Sequence, residues 1–225
     1  GQEHVVALHN IDLDIPRGEV CCIFGTSGSG KSTLLNQLAG LEKPTRGVVR
    51  IGGVPISLLN ENQLAAFRQK HIGFVFQSYN LLPELTAAEN VAMPLMFKGI
   101  DPDVRLLEAK KMLCRVGLKD RMDHFPNQMS GGQQQRVGIA RAFVTRPEVV
   151  FADEPTGNLD SKTTKEVMHM IRGFAKLFHQ TIVLVSHDPE MTEYADRIVT
   201  LIDGRIVSNV ENQVKAEIDA APYIE

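Results

Sequence analysis

The chain has 225 residues, which suits one large α/β domain with a smaller inserted subdomain and excludes two ordinary domains joined by a linker. Hydrophobic residues make up 43% and charged residues 23%, values that exclude a disordered chain or a coiled coil. The net charge of -3 gives no reason to expect a nucleic-acid partner, and no apolar run is long enough to cross a membrane. We therefore expect a soluble domain that would reach a membrane only through a partner.

Short apolar runs rich in β-branched residues recur along the chain, and helical patterns lie between most of them. This alternation predicts an α/β fold with a mainly parallel sheet covered on both faces. The clearest runs are residues 20–24, 72–76, 149–152 and 181–185, and each ends in polar or glycine residues. Because ligands bind beyond the carboxyl ends of such strands, the pattern predicts one functional rim formed by all of them.

Three further segments complete the predicted fold. Residues 5–15 and 48–56, punctuated by glycine and proline, predict a small antiparallel sheet. Helical patterns over 89–97 and 104–116 predict an inserted helical subdomain at about 78–128, and Asp203-Gly204 predicts a hairpin between 198–202 and 205–207. We expect one domain over 1–208, followed by a tail at 209–225 without an assigned function.

The cysteines are Cys21, Cys22 and Cys114, an odd number without zinc-type spacing. Two of them lie in an apolar run, where free cysteine behaves as a small buried hydrophobic residue. A reducing compartment fits this pattern, and we expect no catalytic cysteine.

A glycine-rich segment follows the first apolar run and precedes a helical one, and it matches the phosphate-binding pattern G-x-x-x-x-G-K-[ST]. Its residues are Gly25, Thr26, Ser27, Gly28, Ser29, Gly30, Lys31 and Ser32, and Thr33 continues into the helix. Glycines let backbone N–H groups turn toward phosphate oxygens, and the helix presents its positive end to them. The pattern predicts that Lys31 binds the β- and γ-phosphates of a nucleotide and that Ser32 offers an oxygen to Mg²⁺.

Two acids, Asp153 and Glu154, follow the run at 149–152. Alone, an acidic pair at a strand end is more often a solvated turn. Beside a phosphate loop on a neighbouring strand, it predicts a Mg²⁺ ligand at Asp153 and a general base at Glu154 that activates water.

Residues 130–133 precede a helix, so Ser130 is expected to cap it while Gly131 and Gly132 expose N–H groups, as in a second anion site. The segment Met129-Ser130-Gly131-Gly132-Gln133 also resembles the Leu-Ser-Gly-Gly-Gln signature of the ABC (ATP-binding cassette) ATPases. The resemblance covers roughly residues 5–208 in the family's order and spacing. Methionine replaces the usual leucine at position 129, a volume-conserving change that should cost little.

The resemblance implies roles that single residues do not. Alone, Gln77 could be an exposed amide at a strand end, and His187 a surface histidine before a turn. The family assigns Gln77 to Mg²⁺ and to sensing a transmembrane partner, and His187 to the γ-phosphate and the attacking water. Asp160 matches the D-loop, in Asn158-Leu159-Asp160. The family fold also implies that two such domains pair head to tail, each covering the other's ATP.

The segments 76–83, 85–91 and 153–160 resemble the bacterial lipoprotein-releasing and macrolide-exporter group. This resemblance implies an ATP-hydrolysing subunit that drives a separate transmembrane permease, in transport or in mechanotransmission, at the cytoplasmic face of the bacterial inner membrane. The segment 77–94 is the predicted coupling loop, with Tyr79, Leu81, Leu82 and Leu85 expected to be exposed. The alternative is that these side chains pack the inserted helices.

The sequence departs from the family pattern at the site for the adenine base. In the family, adenine stacks on an aromatic residue upstream of the segment that corresponds to residues 5–8, but here no Phe, Tyr or Trp precedes Phe24. We expect that residue to lie before Gly1.

The rival interpretation is a soluble ABC ATPase acting on ribosomes or DNA. The ribosomal type usually has two cassettes joined by a basic linker, and the DNA-repair type has a long inserted coiled coil. This sequence shows neither feature. A regulatory module without hydrolysis is disfavoured because Glu154, Gln77 and His187 are all in place.

Overall fold

The structure, a computed structural model, describes residues 6–213. Its α-helices are α1 (Lys31–Leu38), α2 (Glu61–His71), α3 (Ala87–Phe97), α4 (Pro102–Arg115), α5 (Gly131–Phe143) and α6 (Ser161–Phe178). Its strands are β1 (Val20–Phe24), β2 (Arg50–Ile51), β3 (Val54–Pro55), β4 (Ile72–Phe76), β5 (Val149–Asp153), β6 (Thr181–Ser186), β7 (Arg197–Ile202) and β8 (Arg205–Glu211). Short 3₁₀ helices span Ile56–Leu58, Lys119–Arg121, Pro126–Gln128 and Pro189–Tyr194.

The main sheet has the strand order β4-β5-β6-β1-β7-β8, and its neighbours run parallel except for the antiparallel pair β7 and β8. The predicted apolar runs are therefore strands of one mainly parallel sheet, which confirms the fold class. The register aligns their carboxyl ends, because Asp153 lies opposite both Phe76 and Val185, while Phe24 lies opposite Ser186. We call this edge the strand-end rim.

One expectation about the sheet was wrong. The acidic pair does not follow a strand next to the phosphate loop, because β6 lies between β1 and β5. Periodicity identifies strands but does not determine their lateral order, which depends on crossover connections. The rim therefore carries a β6 residue between the loop and the acids.

Helices cover both faces of the sheet, and alternation along β1 separates the two cores. Cys22 belongs to a core formed with α5 and α6, whereas Cys21 and Ile23 belong to the core formed with α1. Successive residues of a strand point to opposite faces, so one five-residue strand supplies both cores. Cys21 and Cys22 are fully buried, as the sequence predicted, and Cys114 is exposed.

The small antiparallel sheet is present but smaller than predicted. It consists of β2 and β3, joined by Gly52 and Gly53 at φ 55° and 82°. Residues 6–15 have no strand assignment, and Val5 lies outside the described residues. The alternating apolar residues of this segment instead pack against the α1 side of the core. His9 N donates a 2.7 Å hydrogen bond to Gly204 O, so the segment lies beside the turn before β8.

The helical segment begins with two well-capped helices. Thr86 and Glu89 form a reciprocal capping box at the start of α3, and Asp101 caps α4, where Pro102 takes the first helical position. Both helices pack against each other and against α5. They match the predicted helices to within two residues at each end.

The β7–β8 hairpin forms as predicted, with Asp203 and Gly204 at φ 44° and 71° in its two-residue turn. Strand β8 continues to Glu211, three residues beyond the predicted domain end at 208. The rest of the predicted tail, residues 214–225, lies outside the described residues.

Candidate functional site

The phosphate loop, residues 25–32, leaves β1 and enters α1 at the strand-end rim. Its shape depends on glycine. Gly28 and Gly30 have φ values of 79° and 98°, in the left-handed region that other residues avoid. A Cβ atom at Gly30 would lie 2.8 Å from Ala7 O, and one at Gly25 would lie 2.3 Å from Leu201 O. The loop can therefore bring its backbone N–H groups close to an anion.

Two side chains of this loop have hydrogen-bonding capacity to spare. Lys31 is only 7% exposed, and its Nζ donates a 2.9 Å hydrogen bond to the carbonyl of Thr26. The buried hydroxyl of Ser29 has no hydrogen-bond partner. A buried ammonium group and an unpaired hydroxyl are costly unless an acceptor is supplied. These residues fit a bound phosphate, and Ser32, exposed at the first turn of α1, can offer its oxygen to a cation.

Asp153 is the last residue of β5 and Glu154 follows it, and Asp153 lies close enough to the phosphate loop to feel the charge of Lys31. Burial raises the pKa of the Asp153 carboxyl, repulsion by Glu154 raises it further, and Lys31 lowers it. Asp153 therefore interacts with the phosphate-loop lysine although β6 separates their strands. Carboxylate, hydroxyl and phosphate oxygens together make the ligand set that Mg²⁺ prefers.

The Glu154 side chain is held in place by β6. Its Oε1 accepts a 2.8 Å hydrogen bond from His187 Nδ1, and its Oε2 accepts one of 3.2 Å from Ser186 Oγ. Its backbone, at φ 44°, continues the sheet ladder through a 3.1 Å bond from its N–H to Val185 O. The carboxylate is 16% exposed and the imidazole 62%, so the pair faces outward from the rim.

Ser186 ends the apolar run at 181–185 and was expected at the rim, but the sequence analysis gave it no role in the site. It is 1% exposed, donates to Glu154, and accepts a 3.1 Å hydrogen bond from Asp188 N. It therefore fixes Glu154 and the turn after His187 with one hydroxyl. The sequence indicated this position, because Ser186 is the polar residue that ends an otherwise apolar run.

Gln77 follows β4 at the far end of the rim. Its carbonyl accepts a 3.1 Å hydrogen bond from Asn158 Nδ2, and its amide lies against Gly157, where a Cβ atom would come within 2.6 Å. The residue is thus coupled to the segment that follows Glu154. The sequence predicted that Gln77 and the acidic pair share one rim, and the structure adds that their strands, β4 and β5, are neighbours.

Residues 130–133 lie at the start of α5, where Ser130 Oγ accepts a hydrogen bond from Gln133 N and the Gln133 side chain accepts one from Ser130 N. This is the predicted cap in its reciprocal form. A Cβ atom at Gly131 would lie 2.8 Å from Tyr79 Oη, and one at Gly132 would lie 2.8 Å from Thr163 Cγ2. Gly131 and Gly132 thus contact Tyr79 and Thr163, whereas Gly25 and Gly30 of the phosphate loop contact Leu201 and Ala7, so the two glycine-rich segments share none of these neighbours.

Asp160 caps α6 beside that segment. Its carboxylate accepts hydrogen bonds from the backbone N–H groups of Lys162 and Thr163 and from the Thr163 hydroxyl, and the bonds from Thr163 lower its pKa. Residues 130–133 and Asp160 are thus linked through Thr163. We call this region the signature end.

The predicted coupling loop is less exposed than expected. Leu82 is 43% exposed, but Tyr79 and Leu85 are half-buried and Leu81 packs against the core. Two buried side chains hold the loop in place: the Arg141 guanidinium of α5 donates hydrogen bonds to the carbonyls of Tyr79 and Asn80, and the Asn90 amide donates to those of Leu82 and Leu85. Burial lowers the pKa of this guanidinium. The sequence offered one sign of this contact, which is that Arg141 is the only charged residue in the otherwise apolar stretch 137–144.

Within residues 6–213, no group of three or more His, Cys, Asp and Glu side chains could hold a metal ion. A cation at the rim would therefore need oxygens from the nucleotide as well as from the protein. In the same part of the chain, none of the helices combines the length and apolar character needed to cross a bilayer.

Comparison with known proteins agrees with this geometry. The family model described as ABC transporter matches residues 8–157. An ABC transporter ATP-binding protein of Methanocaldococcus jannaschii, MJ1508, is 50% identical over 207 residues, which cover 92% of each chain. The macrolide export ATP-binding/permease protein MacB of Salmonella choleraesuis is 47% identical over 98% of this chain, which spans only 34% of that relative.

A solved structure has the same fold. The ATP-binding cassette MJ0796, described as a dimer in a post-hydrolysis state bound to ADP and Pi, aligns with a TM-score of 0.87 and 42% identity over 94% of this chain and 93% of its own. These matches confirm the fold and the resemblance to the macrolide-exporter group. The chain belongs to the ABC transporter family, as one of its ATP-binding cassettes.

Proposed function

We propose that this chain hydrolyses ATP with Mg²⁺ and, through ATP-dependent head-to-tail dimerisation, drives a separate transmembrane permease. The observation that carries the proposal is the strand-end rim, where a phosphate loop, a carboxylate near its lysine and a hydrogen-bonded Glu154–His187 pair lie on one edge of the sheet. These are the parts that phosphoryl transfer to water requires.

In this proposal the loop backbone and Lys31 bind the phosphates, and Thr33 follows them at the start of α1. Lys31 exchanges its hydrogen bond to Thr26 O for phosphate oxygens, which also supply an acceptor beside the unpaired Ser29 hydroxyl. Ser32, Asp153 and Gln77 would hold Mg²⁺, which when bound neutralises charge on the phosphate oxygens. Asp153 must be deprotonated for this; burial and Glu154 raise its pKa, whereas the charge of Lys31 opposes that rise and a bound cation would favour the ionised carboxylate.

Glu154 acts as the general base that takes a proton from the attacking water. The hydrogen bond from Ser186 keeps its carboxylate oriented, and that from His187 Nδ1 connects it to an exposed imidazole. His187 can then turn toward the γ-phosphate without leaving the rim. A base that is oriented before the reaction costs less reorganisation during it.

The signature end serves the nucleotide of a second copy. Gly131 and Gly132 offer free N–H groups at the positive end of α5, and Ser130, Gln133 and Asp160 adjoin them. Their neighbours are Tyr79 and Thr163, whereas those of the phosphate loop are Ala7 and Leu201. The solved relative is described as a dimer, which supports the pairing of two copies, and a head-to-tail arrangement would let each chain complete the site of the other.

The permease partner rests on the relatives. MacB proteins are named as combined ATP-binding and permease proteins, and MJ1508, which this chain matches over 92% of its length, is named as an ATP-binding protein. We propose a peripheral position at the cytoplasmic face of the bacterial inner membrane, held there by the permease, with export or mechanotransmission as the work performed.

Copurification tests this proposal against a soluble ABC ATPase acting on ribosomes or DNA. The tagged chain is expressed in its source cell and recovered from detergent-solubilised membranes and, in parallel, from the cytosol. We expect one membrane protein at stoichiometric yield, and its addition should stimulate ATP hydrolysis by the purified chain. Recovery with ribosomes or DNA alone would contradict the transporter assignment.

A further inference from the structure

A groove of about 520 Å³ lies between α4, α5 and α6, apart from the residues proposed to bind ATP. Its polar lining comes from Arg115, Arg136, Lys162, Lys165, Glu166 and His169. Four cationic side chains thus face one carboxylate, an excess of three positive charges with His169 neutral, on a chain whose net charge is -3. We call it the basic groove.

The arginines of the basic groove are held in place. Arg136 Nη2 pairs with Glu166 Oε2 at 2.5 Å, and Arg136 Nη1 donates a 3.1 Å hydrogen bond to Val116 O. The Arg115 guanidinium lies 5.8 Å from the centre of the Phe178 ring. Arg136 keeps further N–H donors beyond these two bonds, so both guanidinium groups are ordered and able to bind an anion.

The lysines of the groove are arranged at an electrostatic cost. Lys162 and Lys165 lie on one face of α6 together with Glu166 and His169, are exposed, and have no ion-pair partner within residues 6–213. Lys162 also lies in the first turn of α6, where the helix dipole disfavours a positive charge, and the acidic residue at this helix start, Asp160, already caps the helix through its backbone N–H groups. An anion in the groove would offset the repulsion between Lys162 and Lys165, which lie three residues apart, and the unfavourable position of Lys162 at the helix start.

We propose that the basic groove binds a small soluble organic anion that carries more than one phosphate group. Arginine and lysine on opposing walls match phosphate oxygens, and the volume lies in the range of small-molecule sites and exceeds that of one phosphate. The buried Val116 and Met170 line the groove as well and would contact the organic part. A ligand that touches Arg115 and Lys165 connects α4 of the helical segment to α6.

Calorimetry with inositol hexakisphosphate as the probe tests the site on the full chain, with saturating ADP present to occupy the nucleotide site. We expect one binding site per chain. The double substitution Lys162→Glu and Lys165→Glu should weaken binding about ten-fold or more, because two charge-assisted contacts become repulsive. Both residues are exposed, so the variant should fold, which circular dichroism would check.

The matched control is Lys70→Glu with Lys176→Glu, which makes the same change of charge at exposed helical positions outside the groove. We expect the control to bind the probe within about two-fold of the wild type. Equal weakening in both double variants would show diffuse attraction and overturn the proposal, as would no binding by the wild type. Vesicles of phosphatidylglycerol form a second arm: binding of vesicles but not of the soluble probe would also overturn it.

Alkylation of Cys114 locates the bound probe. This thiol lines the groove and is exposed, whereas Cys21 and Cys22 are fully buried and serve as internal controls. Inositol hexakisphosphate should slow the reaction of Cys114 with iodoacetamide in the wild type and in the Lys70 and Lys176 control. An unchanged rate while calorimetry records binding would place the probe elsewhere and contradict the proposal.

Discussion

The strand-end rim and the signature end both carry functional glycines, but they are built differently. At the rim, parallel register places Phe24 opposite Ser186 and Asp153 opposite Val185, so neighbouring strands position the side chains. At the signature end, caps start two helices, and contacts between segments distant in sequence hold them, such as Gly132 against Thr163. Strand pairing therefore determines the geometry of the first region, whereas helix packing determines that of the second.

This difference in construction suggests that the strand-end rim and the signature end have different functions. In the proposed function, the rim binds a nucleotide and activates water within one chain. The signature end offers helix N-termini with few side chains to do chemistry, so it can complete a site that another copy begins. Changes at the rim should affect chemistry or nucleotide binding in the monomer, and changes at the signature end should leave nucleotide binding by the monomer intact while affecting what two copies do together.

The largest effect is expected for Glu154→Gln. The amide cannot accept a proton from water, so turnover should fall by about 10² to 10⁴ while ATP binding persists. ATP-bound dimer should then accumulate, as measured by size-exclusion chromatography with light scattering. Glu148→Gln is the matched control, because Glu148 precedes β5 at its amino end and pairs there with His71. A Glu154→Gln protein that turns over at the wild-type rate would refute the base assignment.

Lys31→Ala should affect nucleotide binding as well as hydrolysis, because Lys31 meets phosphate in the ground state. We expect affinity for ATP in calorimetry to fall by about 10- to 100-fold, the effect of losing one charge-assisted hydrogen bond or two. Lys43→Ala removes an exposed lysine paired with Glu61 and should leave affinity unchanged. Wild-type affinity in Lys31→Ala would show that the phosphate loop binds no nucleotide.

Ser130→Ala tests the signature end. Losing the cap should lower the free energy of unfolding by about 1 kcal/mol and leave ATP binding by the monomer intact, while turnover that depends on dimerisation should be lost. Thr86→Ala is the control, since it removes an equivalent cap from α3. Equal turnover in the two variants at matched stability would show that Ser130 only caps its helix and would break the distinction between the two regions.

Most of the rim could be predicted from the sequence because its parts are local: an apolar run, then a glycine-rich loop or an acidic pair. The position of β6 between β1 and β5 could not, since lateral order depends on long-range pairing. The packing of residues 6–15 without strand pairing also escaped prediction, because alternation of apolar residues indicates a buried face and not a hydrogen-bonded neighbour. Arg141 was missed because its partners, the carbonyls of Tyr79 and Asn80, lie about 60 residues away.

The smallest effect on the isolated chain is expected for Leu82→Ser, which tests how the rim is connected to a permease. Among Tyr79, Leu81, Leu82 and Leu85, only Leu82 is exposed, and it follows Gln77 in a loop that Arg141 fixes to α5. An exposed leucine can be replaced with little change in the free energy of unfolding, within about 0.5 kcal/mol, so basal ATP hydrolysis should persist.

If the loop receives the permease, Leu82→Ser should remove most of the stimulation of ATP hydrolysis in reconstituted membranes, because an exposed apolar anchor is lost from the interface. Leu58→Ser, at a leucine that is 69% exposed in the 3₁₀ helix after β3, is the control and should keep stimulation. Leu82 is changed alone, because the Tyr79 hydroxyl lies near Gly131 and its loss would also disturb the signature end. Unchanged stimulation in Leu82→Ser, or an equal loss in Leu58→Ser, would mean that the loop is internal packing and that the permease contacts the chain elsewhere.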